Sequence, residues 1–206
     1  MSIAAMSSLS TVNTVVISNE PEASAKLSAT LADSDYKIIF EASTLQQLLS
    51  LRWQEEPQLI IALLSTSDSE LLSKFKIINE QVPLPIVIFT HDHRDDAIEE
   101  AIQAGVSAYI VDGFREDRVL PILRTSIARF RQYQSMQNHI KELKTSLADR
   151  KVIDRAKGLI MEQRNCSEDE AYRLLRTSAM NQNMRLAQLA QNILATASLL
   201  EPKKSL

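Results

Sequence analysis

Five short apolar runs, each followed by a segment with helical spacing, set the tightest limit on what this chain can fold into. The runs are Thr14–Ser18, Lys37–Phe40, Gln58–Leu64, Pro85–Phe89 and Ser107–Val111. Each is rich in Ile, Val or Leu and short, as expected of strands buried on both faces of a parallel sheet. Between them apolar residues recur with helical spacing, as Ala23, Leu27 and Leu31 do. Parallel neighbours require crossover connections. Five such units therefore read as one doubly wound α/β domain over residues 13–130.

Several classes of chemistry find no support. The chain has 3 glycines and neither a GxGxxG nor a P-loop, so nucleotide binding through a glycine-rich loop is not expected. Gly105 and Gly113 read instead as a helix stop and a turn. Cys166 is the single cysteine, which rules out an intramolecular disulfide, fits a cytoplasmic protein, and has no histidine nearby in sequence to activate it. His91-Asp92-His93 offers two imidazoles one residue apart without further ligands, and reads as a surface loop. No metal, cofactor or enzymatic constellation is expected. The opening residues 1–12 lack a basic segment and a long apolar stretch, so they read as a disordered tail and not as a signal peptide, with a second tail at 201–206. No apolar run approaches the ~20 residues of a membrane helix.

Beyond Pro121 neither proline nor glycine recurs until Gly158. Tyr133, Met136, Ile140, Leu143 and Leu147 follow the three-four spacing of a coiled coil, and Arg150 is next in the series. Leu120, Leu123, Ile127 and Phe130 share the spacing in another register. The change near Phe130 marks the end of the α/β domain and the start of a linker helix over 131–149. This stripe either pairs two chains or packs back on its own domain. Residues 150–200 then read as an all-α module of three helices. In the second, Ser167 and Glu170 have capping-box spacing. In the third, Leu186, Leu189, Ala190, Ile193, Leu194 and Ala197 share a face.

The five-unit pattern resembles the receiver (flavodoxin-like) domain of two-component response regulators. The resemblance implies a phosphoryl-accepting aspartate after the third strand, acidic metal ligands after the first, Thr or Ser after the fourth and Lys after the fifth. These groups neutralise charge that develops on phosphoryl oxygens. In this chain the corresponding positions are Asn19 and Glu20, Leu63, Thr90 and Val111. Acceptor and lysine are both replaced, and Asp68 lies too far past the strand to substitute without a shifted turn. A degenerate pocket and a pseudo-receiver that is not phosphorylated are expected.

Charge is unevenly distributed. Residues 1–148 carry 13 basic and 19 acidic side chains, a net of −6, whereas residues 149–206 carry 10 basic and 7 acidic, a net of +3. Arg150, Lys157 and Arg164 are spaced by seven beside the apolar face formed by Val152, Ile153, Ala156, Leu159 and Ile160. Lys151 and Arg155 lie on the more exposed side, with Arg173, Arg176 and Arg185 on the next helices. This ridge reads either as a solvated face or as a contact for RNA phosphates. Tyr172 suits a core position better than base stacking, because Ala171, Leu174 and Leu175 surround it in sequence. Gly158 inside a helix costs roughly 1 kcal/mol against Ala, which suggests close approach of another helix or of the RNA backbone, with helix packing the favoured reading.

Ile153, Ala156-Lys157-Gly158, Leu159, Met161, Ala171, Leu175-Arg176, Ala179 and the last apolar helix resemble the ANTAR family of antitermination regulators. The segments Ile86–Thr90, Gly105–Gly113 and Leu120–Leu123 resemble its nitrate-assimilation branch. The resemblance implies binding to paired hairpins in a leader mRNA, which prevents formation of a terminator. It also implies control by a soluble nitrate-sensing protein. The expectation is a nonenzymatic RNA-binding homodimer. Two alternatives stay open: a DNA-binding response regulator, since three helices also make a helix-turn-helix, and an adaptor whose basic tail docks on a partner protein.

Overall fold

The computed structural model describes residues 11–44, 47, 55–66, 69–111 and 113–200. Residues 1–10 and 201–206, where tails are expected, lie outside the described residues, as does Asp68. The elements are β1 (Val12–Ser18), α1 (Pro21–Ala32), β2 (Tyr36–Ala42), β3 (Leu59–Leu64), α2 (Ser69–Gln81), β4 (Ile86–Thr90), α3 (Asp95–Gln103), β5 (Ala108–Ile110), α4 (Glu116–Arg164), α5 (Glu168–Asn181) and α6 (Leu186–Leu200). Two compact units divide between Gln134 and Ser135. No helix among the described residues is long and apolar enough to cross a membrane.

The first unit is the expected doubly wound domain. All its strand pairings are parallel and the sheet order is β2-β1-β3-β4-β5, the flavodoxin-like arrangement. Because side chains alternate across a strand, each apolar run fills two cores at once. Ile60, Ala62 and Leu64 of β3 join Val15, Ile17, Ile86 and Ile88 against Leu72, Phe75, Ala101 and Ala104. Leu59, Ile61 and Leu63 join Val16, Val87 and Phe89 against Leu27, Leu31, Val119, Leu123 and Ile127. β1 starts at Val12, ahead of its apolar run, where the Val12 N–H donates to the Asp35 carbonyl at 2.7 Å. Gly105 follows α3 in the left-handed region at φ +79°, where the Val106 N–H reaches back to the Ala101 carbonyl at 3.0 Å. That closes the helix as a Schellman stop.

The segments read as domain end, linker and first helix of the module form a single helix, α4, of 49 residues. Its first turns bury Val119, Leu123, Ser126 and Ile127 against the sheet. Past that face, residues 131–148 are exposed apart from the half-buried Gln134.

In the second unit, α5 and α6 pack on the C-terminal part of α4. Ala156, Leu175, Ala179, Leu189 and Ala190 form the core, with Val152, Ile153, Ile160, Leu186, Ile193 and Leu194 packed around it. Small alanines from all three helices let the axes approach closely. Asn165 and Asn183 make the turns in left-handed conformations, φ 46° and 51°, which asparagine tolerates at helix ends. α5 opens with the expected capping box. The Ser167 N–H donates to Glu170 Oε2 at 2.9 Å, and the Glu170 N–H returns to Ser167 Oγ at 3.4 Å.

Candidate functional site

The topology gathers the expected receiver positions at the carboxyl ends of β1, β3 and β4, where ligands bind in open parallel sheets. The residues present there bond to one another. The Ser65 N–H donates to Asn19 Oδ1 and Asn19 Nδ2 donates to Ser65 Oγ, both at 3.2 Å. The Thr90 hydroxyl is buried, donates to the Ser65 carbonyl at 3.4 Å and accepts from the Asp92 N–H at 3.1 Å. Leu63, where the resemblance leads one to expect the acceptor, is packed in the core, and Glu20 occupies the N-cap position of α1. Val111 is half-buried in a turn after β5.

The loop after β4 is organised by a carboxylate. Asp92 is only 4% exposed at its side chain and is held by Arg94, Nε to Oδ1 at 3.0 Å and Nη2 to Oδ2 at 2.9 Å. This pairing raises the Arg94 pKa further above its ordinary value. The Tyr109 hydroxyl donates to the Asp92 carbonyl at 3.1 Å. His91 and His93 are exposed, and no cluster of metal-ligating residues occurs among the described residues.

On the helical module, Arg150, Lys151, Arg155, Arg164, Arg173, Arg176 and Arg185 are all exposed. Arg173 Nε donates to the Asp169 carbonyl at 3.3 Å. Lys157 is different. Its side chain is 14% exposed and its ammonium meets Asp154 Oδ1 at 2.8 Å and Glu168 Oε1 at 2.6 Å. It therefore ties the start of α5 to α4. These two hydrogen bonds, to Asp154 and then Glu168, raise its pKa, and the Lys157 contact lowers that of Asp154. Sequence spacing set Lys157 in one stripe with Arg150 and Arg164, but α5 supplies a carboxylate beyond the turn that leaves Lys157 mostly neutralised.

Two expectations are overturned. Among the described residues Gly158 packs against no other helix, since a Cβ built there meets nothing within 4 Å. Tyr172 is not a core residue: α5 buries only Ala171, Leu175 and Ala179, spaced by four, and leaves Tyr172 40% exposed. Its ring lines a groove of about 820 Å³ with Arg150, Ile153, Asp154, Lys157, Leu186 and the α4 face running back to Asn138. Tyr133, Met136, Ile140, Leu143 and Leu147 are 45–59% exposed.

Residues 141–194 match the ANTAR domain model. Over 170 residues the chain is 27% identical to the transcriptional regulatory protein PdtaR of Mycobacterium tuberculosis, covering 82% of this chain and 83% of that protein. It is 29% identical over 84 residues to the nitrate regulatory protein of Klebsiella oxytoca, covering 41% of this chain and 20% of that protein. In fold it is similar to the signal receiver domain of a modulated diguanylate cyclase from Desulfovibrio desulfuricans, with 13% identity and a TM-score of 0.50, covering 59% of this chain and 98% of that domain. The chain thus carries an ANTAR domain behind a receiver-like α/β fold.

Proposed function

We propose that this protein is an RNA-binding transcription antitermination regulator, which binds paired hairpins in a leader mRNA and so prevents terminator formation. The observation that carries this reading is the ANTAR match over residues 141–194, on a module whose arginines stand exposed. Exposed cations on α4, on α5 and, as Arg185, just ahead of α6 suit phosphates of a folded RNA and supply the salt-dependent part of affinity. The reading is nonenzymatic and cytoplasmic.

Two chains pair through Tyr133, Met136, Ile140, Leu143 and Leu147. An apolar stripe left exposed along a polar helix is the mark of an unmet partner, and its three-four spacing suits a second copy of the same helix. The pseudo-receiver is a protein-docking domain controlled by a soluble nitrate-sensing partner and not by phosphorylation. In support, β3 ends in Leu63-Leu64 with no aspartate, and Asn19, Ser65 and Thr90 satisfy one another where a metal and a phosphoryl group would sit. Similarity to the nitrate regulatory protein supports genes of nitrate and nitrite assimilation as the target.

Titration of the full chain with a two-hairpin leader RNA at several salt concentrations tests the reading. Tight binding is expected. Arg150→Ala should weaken it and lower the slope of log Kd against log salt by about one for each phosphate that is no longer neutralised. No RNA binding at physiological salt would favour an adaptor that docks on protein, and preference for duplex DNA would favour a DNA-binding regulator.

A further inference from the structure

The groove beside Tyr172 is unlike the rest of the basic surface. It holds Lys141, Arg150 and Lys157 but also Glu142, Asp149 and Asp154. Balanced charge of this kind repels a run of phosphates as much as it attracts one. What the groove does offer is an aromatic face, aliphatic surface from Ile153 and Leu186, and carboxylates able to accept from exocyclic amino groups. That combination fits a single flat heterocycle: apolar on its faces, hydrogen-bonding at its edge, with a cation such as Arg150 at hand for the phosphates on either side.

We infer that this groove is a subsite for one unpaired RNA base, splayed out of a hairpin loop and stacked on the ring of Tyr172. The inference rests on the RNA-binding reading and adds to it where sequence discrimination resides. Single-stranded bases are read by stacking on aromatic side chains with hydrogen bonds to their edges. The α4 geometry keeps one side of the subsite open in a dimer. At 100° per residue, Asn138, Glu142, Thr145 and Asp149 face about 160° away from Met136, Ile140, Leu143 and Leu147. Arg150, also in the groove lining, continues the stripe's own series, so pairing confined to Tyr133–Leu147 leaves the Asn138–Asp149 side of the groove uncovered.

The test uses the full chain and a two-hairpin leader RNA carrying 2-aminopurine at each loop position in turn, whose fluorescence falls on stacking. Quenching at a loop position is expected with the native protein. Tyr172→Leu should remove that quenching and weaken binding about five- to 150-fold, as expected when one base–aromatic stack is removed. Its salt slope should be unchanged, because every cation that meets a phosphate is still in place. Tyr172→Phe should recover quenching and most of the affinity. Thermal melting shows whether each variant retains the fold, and the phenylalanine variant preserves the comparison if the leucine variant does not. RNA binding by the native chain without quenching at any loop position, or with quenching that survives Tyr172→Leu, overturns the subsite while leaving the RNA reading intact. Absence of RNA binding by the native chain overturns both.

Discussion

Truncating one residue of the exposed stripe should uncouple the two hairpins. Leu143 is 58% exposed. Complete burial of a leucine contributes about 1.5–3 kcal/mol, so covering this fraction in a seam contributes about 1–1.7 kcal/mol per chain. Both copies are truncated, so Leu143→Ala should cost a dimer about 2–3 kcal/mol and raise its dissociation constant about 30- to 150-fold. Alanine is the better helix former, so circular dichroism should show no decrease of helix in the monomer. Sedimentation equilibrium reads the dimer directly. RNA binding reads the consequence: two modules on two linked hairpins benefit from effective concentration, whereas one module on one hairpin does not. Affinity for the two-hairpin RNA should fall steeply and affinity for a single hairpin should hold. A variant that sediments like the native chain, or a monomer with undiminished two-hairpin affinity, would refute the coupling.

Three further outcomes follow from the module. Gly158→Ala should stabilise it by about 0.8–1.0 kcal/mol, the helix-propensity difference, because the new Cβ meets nothing within 4 Å; a lowered melting temperature would contradict this. Ser167→Ala should cost about 1 kcal/mol by removing the α5 cap, measured by urea unfolding. Stability should also depend on pH at both ends. The Glu170 pKa is held below its ordinary 4.5 by hydrogen bonds from Ser167, and that of Asp154 below 3.8 by Lys157. Their contributions are present above those values and are lost as pH falls through the lowered ones. The Lys157 pKa is raised above 10.5, so its contribution is present below that value and is lost as pH rises past the raised one. Glu170→Gln should reduce the slope of the acid limb, leaving the Asp154 part, and should not alter the alkaline limb.

The α/β fold was legible because burial on both faces leaves strands with no polar alternation, and five such runs with helical spacers admit few arrangements. The second unit was legible in its elements but less so in its surfaces. Tyr172 adjoins Ala171 in sequence, yet α5 buries only a narrow stripe of residues four apart, so one position of rotation separates core from groove. The Lys157–Glu168 pair spans a turn and eleven positions, outside any spacing rule for a single helix. A glycine inside a helix reads as a point of close approach, yet nothing lies within 4 Å of a Cβ built at Gly158. At the carboxyl ends of the strands Leu63 could be read from the sequence, whereas the Asn19–Ser65–Thr90 contacts required the strand order that brings 19, 65 and 90 together.

As an antitermination regulator, the role proposed above, this chain lets polymerase read through a terminator by holding leader hairpins. Single-round transcription with purified polymerase, on a template with a two-hairpin leader ahead of an intrinsic terminator, measures that directly. The full chain should increase read-through, and the increase should vanish when the hairpin loops are replaced. Read-through unchanged by saturating protein that is bound to the same leader RNA would contradict the claim.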